Sequence, residues 1–330
     1  MHLDPFELHR PASVEETLAL AQRLGAGGFD YLAGGTDLLP NYKMHLNLKP
    51  HLVALWDVNE LARHDLRRLG GMSRLGDLER DGAFAAAYPG VSESVREVAT
   101  PLVRASATVA GNLLVETRCF FFNQSQPWRQ SLGFCLKADG DRCHVVPQKE
   151  RCYATFSGDL APSLLVLDAQ VEVAGAGGRR TMPLASLYDR EGDGIRRHHL
   201  AAGELVVAID LPAGAPGTPA TYRKLRIRPS FDFPELGVAV ALRAEGGRVN
   251  SLRVALGGLE TYPRTLDELT TPLVGETLSP DRIRDLAAAA TKAVRPVHNT
   301  FLDPAYRRRM TGVFVRRAVE ALAERQGRAG

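Results

Sequence analysis

The sequence predicts an α+β protein: two small α/β units at the N-terminal side, then a C-terminal α+β domain carrying an antiparallel sheet. Three observations carry that reading. A strand, helix, strand pattern with short joints fills the first 58 residues, apolar runs joined by hairpin turns dominate beyond residue 168, and a Pro/Gly-rich stretch at 212–221, "PAGAPGTPAT", divides the chain. At 330 residues the chain is also longer than one core usually grows. The expected domains are 1–211, with subdomains of about 1–58 and 59–211, and 217–330.

Taken in order, Ser13 and Glu16 have capping-box spacing, and Leu18, Leu20, Ala21 and Leu24 follow at helical intervals until Gly25. "FDYLAGGTDLL" then reads as a short strand entering a glycine turn, and "HLVALWDV" at 51–58 as a second strand. "LGDLERDGAFAAAYPG" and "SVREVATPLVRA" each read as helix. "LLVLDAQVEVAG" and "GELVVAIDLP" read as strands, with "GAGGRRTMPL" as a hairpin-like turn. Past the divide, "TYRKLRIR" and "GVAVALRAEGGRVNSLRVALGG" predict strands joined at "AEGGRVN", and "DRIRDLAAAATKAV" and "AYRRRMTGVFVRRAVEALAER" predict helices.

Hydrophobic content of 45% and charged content of 24% are ordinary for a globular chain. A net charge of +3 with dispersed basic residues argues against nucleic-acid binding. The N-terminus lacks the apolar core of a secretory signal, and no run reaches the roughly 18 apolar residues that span a bilayer. No membrane association is expected. A cytoplasmic setting follows, in which thiols stay reduced.

All four cysteines, Cys119, Cys135, Cys143 and Cys152, fall in one polar, aromatic stretch with the spacing C-x15-C-x7-C-x8-C. Structural zinc sites usually draw ligands from close pairs such as C-x2-C, and none exists here. Iron–sulfur clusters are held by four cysteine thiolates. Spacing alone leaves zinc, a cluster and inert core thiols open. His144 beside Cys143 reads as a solvated or supporting residue, and Phe120, Phe121, Phe122, Trp128 and Phe134 as the local core of a loop-rich segment. The basic run Arg307, Arg308 and Arg309 reads as a solvent-facing helix surface, with a subunit contact as the alternative.

Gly34 and Gly35 follow a strand and precede Thr36 and Asp37. Residues without Cβ allow a tight turn whose N–H groups form an anion-binding nest, or simply a sharp connection. The stretch is not GxGxxG. "AGGTDLL", "TVAGN" at 108–112, "SGDLAPSLLVLDA" at 157–169 and "YRKLRIRPSFDF" together resemble the FAD-binding subunit of the xanthine dehydrogenase and carbon monoxide dehydrogenase family of molybdenum hydroxylases, in order and over essentially the whole chain. Between the second and third motifs this chain carries an insert of about 116–156, holding the four cysteines. That arrangement resembles one branch, the beta subunit of 4-hydroxybenzoyl-CoA reductase, whose insert binds a 4Fe-4S cluster.

The resemblance implies a two-subdomain (PCMH-type) FAD-binding domain. It places Leu32, Ala33, Gly34, Gly35, Thr36, Asp37, Leu38 and Leu39 around the FAD pyrophosphate, and Thr108, Val109, Ala110, Gly111 and Asn112 along the ribityl and flavin portion. Asp159 corresponds to an aspartate that hydrogen-bonds the flavin nucleotide, Lys224 to a lysine near the flavin and Val206 to an apolar contact. Cys119, Cys135, Cys143 and Cys152 correspond to the cluster ligands. Two departures from the family pattern are Ala110, where a glycine is common, and Gly158, where a serine often precedes the aspartate.

The implied partners are a molybdenum-cofactor large subunit, a small subunit with 2Fe-2S clusters, and ferredoxin as electron donor, in a heterohexamer. The implied reaction, carried out on the large subunit, is reductive dehydroxylation of 4-hydroxybenzoyl-CoA. The alternative is a flavin and iron–sulfur subunit of a hydroxylase that oxidises an aromatic or heterocyclic substrate; a zinc-stapled binding module without redox work is a third reading. An insert separate from the flavin pocket would let Cys135→Ser remove a cluster and leave FAD in place.

Overall fold

Ser13 opens the first helix as its context requires: its hydroxyl accepts a hydrogen bond from Glu16 N at 3.1 Å, and the Glu16 carboxylate accepts from Ala12 N at 2.7 Å. In the computed structural model, which describes residues 3–327, helix α1 (Val14–Leu24) follows strand β1 (Glu7–His9) and stops at Gly25, whose φ of +76° suits glycine. Strands β2 (Phe29–Leu32) and β3 (His51–Ala54) join β1 in a parallel sheet of order β1-β3-β2, with helix α2 (Leu38–Lys43) leaving the end of β2. Both faces of β3 are covered: Leu52 and Ala54 pack with Leu32 and Tyr42, and Val53 with Ala21 and Phe29. That explains its uninterrupted apolar run. The strand expected over 51–58 ends at Ala54, after which Leu55 N returns to Leu32 O and the chain turns.

The second unit pairs β4 (Arg68–Gly70), β5 (Gln170–Gly175), β6 (Gly178–Pro183) and β7 (Leu205–Asp210) antiparallel in the order β4-β7-β5-β6. Short helices cover it. The two stretches read as single helices are each broken by a new cap. Asp81 ends α3 (Leu75–Arg80) and accepts from Phe84 N to start α4 (Gly82–Ala87). After α5 (Pro89–Glu97), Ala99 turns at φ +41° and Thr100 caps α6 (Pro101–Arg104) through Val103 N, with proline at the first helical position. Helix α7 (Val109–Leu113) follows, and α8 (Gln126–Ser131) lies within the cysteine-bearing insert. "LLVL", expected as strand, instead closes helix α9 (Leu160–Leu165) and a turn at Asp168 (φ +57°), so β5 begins only at Gln170.

The C-terminal domain is a four-stranded antiparallel sheet, β8 (Ala220–Leu225), β9 (Leu236–Glu245), β10 (Arg248–Gly257) and β11 (Arg264–Thr265), in the order β11-β10-β9-β8. A short helix α10 (Asp267–Thr270) precedes α11 (Pro280–Ala293) and α12 (Pro304–Gly327), which pack on one face. Strand alternation sorts the side chains: Leu236, Val238, Val240 and Leu242 face those helices, while the small Ala239 and Ala241 face the core of the second unit with Tyr222 and Leu164. The two domains therefore share a core. Among the described residues no helix is long and apolar enough to cross a membrane.

The expected solvent-facing arginine run is corrected at its first member. Arg307 is fully buried, its guanidinium donating to Glu235 O at 2.9 Å, Val297 O and Asn299 Oδ1 at 3.2 Å, and Gly258 O. Arg308 bonds Thr291 O at 3.0 Å, and Arg309 lies over the Tyr306 ring. A lysine would replace Arg307's fork with one ammonium. Arg307→Lys is expected to cost about 2 kcal/mol, read as a lower urea midpoint with unchanged slope.

Candidate functional site

The carboxyl end of β2 opens into a cleft of about 640 Å³ between the parallel sheet, α7 and the start of α9. Ligand sites of parallel sheets form at this end of the strands. Gly34 makes the turn possible: a Cβ there would stand 2.0 Å from Ser106 O, so only glycine fits. Gly35 follows with φ +69°. Trp56 Nε1 donates to Ala33 O at 2.7 Å and fixes the loop. The N–H groups of Gly34, Gly35 and Thr36 donate to no acceptor among the described residues, leaving a row of donors at the cleft.

Of the first motif, Ala33, Gly34, Gly35, Thr36, Asp37 and Leu38 line the cleft. Leu32 and Leu39 instead turn their side chains into the apolar cluster under the sheet. Thr108 caps α7 by accepting from Gly111 N at 3.2 Å, and Thr108, Ala110, Gly111 and Asn112 line the cleft, whereas Val109 is core. Ala110 sits within α7, a conformation any residue adopts. Asn112 Oδ1 accepts from Leu160 N at 3.0 Å, so the second motif is tied to the third across the intervening insert. At Gly158 a Cβ would meet Asn112 O at 2.4 Å, which accounts for glycine there.

Asp159 and Val206 also line the cleft. Both carboxylate oxygens of Asp159 are already engaged, one by the Tyr222 hydroxyl at 2.8 Å and the other by Lys224 Nζ at 3.0 Å. Burial raises the Asp159 carboxyl above its usual range, and Lys224 and Tyr222 oppose the shift. Lys224 does not reach the cleft wall; its ammonium is fully buried behind Asp159 and also donates to Glu97 O at 2.9 Å.

The cysteine insert is part of the cleft, so the condition under which Cys135→Ser would leave FAD in place is not met. Glu116, Arg118 and Phe122 all line it. Arg118 forms an ion pair with Asp37 and lies 4.4 Å from the Phe233 ring centre; burial, then the Arg197 charge, push it down to about 10. Its Nε has no hydrogen-bond partner among the described residues. Asp37 also accepts from Glu116 N at 3.3 Å, joining the glycine turn to the insert. The sequence signal for Glu116 and Arg118 is charge beside the first cysteine, and Phe122 reads there only as local core.

Cys119, Cys135, Cys143 and Cys152 converge on one small chamber, walled by Phe121, Phe122 and Lys137 among others. All four are buried and free of disulfides. Burial pushes the Cys119 thiol up to about 12 and Cys152 to about 11, and raises Cys135 as well. No three of the sulfurs lie within 4.8 Å of one another. Four sulfurs around a single zinc would stand about 3.8 Å apart, from the zinc–sulfur bond length of about 2.3 Å. The sulfurs are spread more widely than those around one zinc ion. His144 lines the chamber, with its Nε2 bonded to Phe134 O and its ring against Phe121. Trp128 is half-exposed and 6.2 Å from Phe121.

Chamber and cleft share a wall. Phe122 lines both, and Lys137 lies 4.8 Å over its ring. Lys137 Nζ also bonds Glu116 Oε1 at 2.6 Å and Gly194 O at 3.0 Å. Arg197 approaches the same Glu116 oxygen at 3.3 Å. Burial would raise the Glu116 carboxyl, but the Lys137 and Arg197 charges outweigh it and hold it at about 2. A folded value below the unfolded one gives stability that is present above pH 4.5 and lost as pH falls towards 2. The contribution is roughly 3 kcal/mol. Urea midpoints measured across that range are expected to fall, and Glu116→Gln to remove this part of the slope.

Residues 4–214 match the family described as the FAD binding domain in molybdopterin dehydrogenase, and residues 212–322 the CO dehydrogenase flavoprotein C-terminal domain. The aldehyde oxidoreductase FAD-binding subunit PaoB of Escherichia coli (strain K12) is 34% identical over 275 residues, covering 78% of this chain and 82% of that protein. The carbon monoxide dehydrogenase medium chain of Hydrogenophaga pseudoflava is 27% identical, covering 96% of each. A solved structure of the carbon monoxide dehydrogenase from that organism superposes with a TM-score of 0.78 at 27% identity, covering 98% of this chain and 99% of the other.

Proposed function

The chain belongs to the FAD-binding subunits of the molybdenum hydroxylase family, and from that premise we propose that it is the electron-passing subunit of an oxidising enzyme. Its partners would be a large subunit carrying the molybdenum cofactor, where the substrate reacts, and a small subunit carrying 2Fe-2S clusters. The substrate class favoured is an aldehyde or an aromatic or heterocyclic compound, since relatives are named as an aldehyde oxidoreductase, a nicotine hydroxylase and dehydrogenases of carbon monoxide and caffeine. Those names favour oxidation over the reductive, ferredoxin-fed dehydroxylation of 4-hydroxybenzoyl-CoA.

For the flavin, the residues present fit. The donor row at Gly34, Gly35 and Thr36 suits a pyrophosphate, and glycine at position 34 lets that turn pack directly on the Ser106 backbone. FAD, when bound, supplies two-electron chemistry that can be divided into single-electron steps. The chain orients it with α7 and Val206, and holds Asp159 rigid through Tyr222 and Lys224.

Cys119, Cys135, Cys143 and Cys152 would hold a 4Fe-4S cluster. The observation that carries this is their convergence on one chamber with the sulfurs spread more widely than around a single zinc. A cluster supplies one-electron chemistry, and the aromatic wall of Phe121 and Phe122 limits water there.

Anaerobically purified protein is expected to contain about four iron and four acid-labile sulfide per chain, together with FAD. About one zinc per chain without sulfide would overturn the cluster. Cys135→Ser is expected to lose most of the iron and, because insert residues wall the cleft, to lower flavin occupancy as well. An unchanged flavin content would refute that coupling. Reduction by ferredoxin, with the chamber's cofactor below the flavin in potential, would favour the reductive reading instead.

A further inference from the structure

At the end of the parallel sheet opposite the glycine turn, three metal-ligating side chains meet. Glu7 and His9 lie on one face of β1, two residues apart, and the parallel register sets Glu7 beside His51 on β3. His9 Nε2 and His51 Nδ1 are 3.3 Å apart, Glu7 Oε1 is 3.6 Å from His9 Nε2, and Glu7 Oε2 is 3.4 Å from His51 Nδ1. We propose that Glu7, His9 and His51 bind a divalent transition-metal ion of the zinc type.

With metal–nitrogen and metal–oxygen bonds of about 2.0–2.2 Å, neighbouring ligand atoms stand about 3.3–3.6 Å apart. The two imidazole nitrogens have that spacing, and the Glu7 carboxylate straddles them, Oε1 toward His9 and Oε2 toward His51, with one atom from each residue within 4.8 Å of the other two. A proton between the imidazoles can bond only one acceptor at a time, whereas a cation engages all three donor atoms together. Imidazole nitrogen and carboxylate oxygen are the donor types zinc accepts.

Burial grades across the site, with side-chain exposures of 13% for His9, 29% for His51 and 65% for Glu7. The two histidines are held and the glutamate side is open to solvent. The fourth position faces outward and would carry water. The ion would tie the edge strand β1, which pairs only with β3, to the middle of its sheet. His51 is in register with Phe29, the first residue of β2, and the next two residues of that strand, Asp30 and Tyr31, already line the cleft. The ion's role is a staple for the N-terminal strand.

The test uses the full chain with its partners and Co²⁺ as a spectroscopic substitute for zinc. One equivalent is expected to bind with visible d–d absorption and no thiolate charge-transfer band, and Zn²⁺ to displace it. Cys119→Ser should keep this equivalent, and the His9→Ala/His51→Ala double variant should lose it. Glu7→Gln, at an exposed position, should weaken binding about tenfold, roughly 1.4 kcal/mol, and carries the test if the double variant fails to fold. Equal cobalt binding by wild type and Glu7→Gln, or bands of thiolate origin only, would overturn the proposal.

Discussion

Gly34→Ala is expected to yield protein that lacks bound flavin. The added methyl carbon would stand 2.0 Å from Ser106 O and 2.7 Å from its carbonyl carbon. Both obstacles are backbone, so no side-chain rotation relieves them. The turn must move away from α6 and α7, and the unbonded N–H row from Gly34 to Thr36 moves with it. Overpacking of this kind costs about 1–3 kcal/mol of stability. The larger effect is on the ligand: misaligned donors are expected to weaken FAD binding about a hundredfold, roughly 2.7 kcal/mol. Flavin absorbance of the purified variant and fluorescence titration of its apoprotein measure the two parts. Binding within a factor of three of wild type would show that the turn does not cradle the nucleotide. Ala110, by contrast, lies in helical backbone, and Ala110→Gly should leave flavin content nearly unchanged.

Lys224→Met is expected to cost about 3–5 kcal/mol, because it strips a buried carboxylate of its only cation partner. Asp159 is 3% exposed and its remaining partner, Tyr222, is neutral. The sign of the pH dependence follows from this environment. Burial already raises Asp159, and without Lys224 it rises further. A carboxyl raised in the folded state destabilises at high pH, where the unfolded chain is ionised, and the deficit shrinks as pH falls towards the unfolded value of about 3.9. Urea midpoints of Lys224→Met and wild type should therefore differ most at neutral pH and converge on acidification. Adding Asp159→Asn to Lys224→Met should recover much of the loss, since no buried charge remains. A deficit independent of pH would mean that Lys224 acts by packing.

What was legible in the sequence was mostly local. The glycine turn, the cap at Ser13 and the hairpin at Gly246 and Gly247 depend on a few neighbouring residues, and each is present. The break at Thr100 was also written there, as a capping residue ahead of proline. Its apolar flanks, Val98 and Val103, mask it by keeping a helical rhythm. Arg307 was not legible. Its acceptors come from residues 235, 258, 297 and 299, brought together only by the folded sheet and the turn before α12. The same holds for the cleft. Asp37 and Glu116 are 79 residues apart, and nothing local announces that the insert closes the pocket that the glycine turn opens.

The wall shared by the chamber and the cleft makes the two sites thermodynamically reciprocal. Anything that fills the chamber fixes Phe122 and the Lys137 ammonium; these hold Glu116, and Glu116 N is bonded to Asp37 of the glycine turn. By linkage, occupancy of one site changes affinity at the other by the same factor. Loading is then cooperative. If the four cysteines hold the proposed iron–sulfur cluster, protein made under iron limitation is expected to be poor in flavin even with FAD abundant.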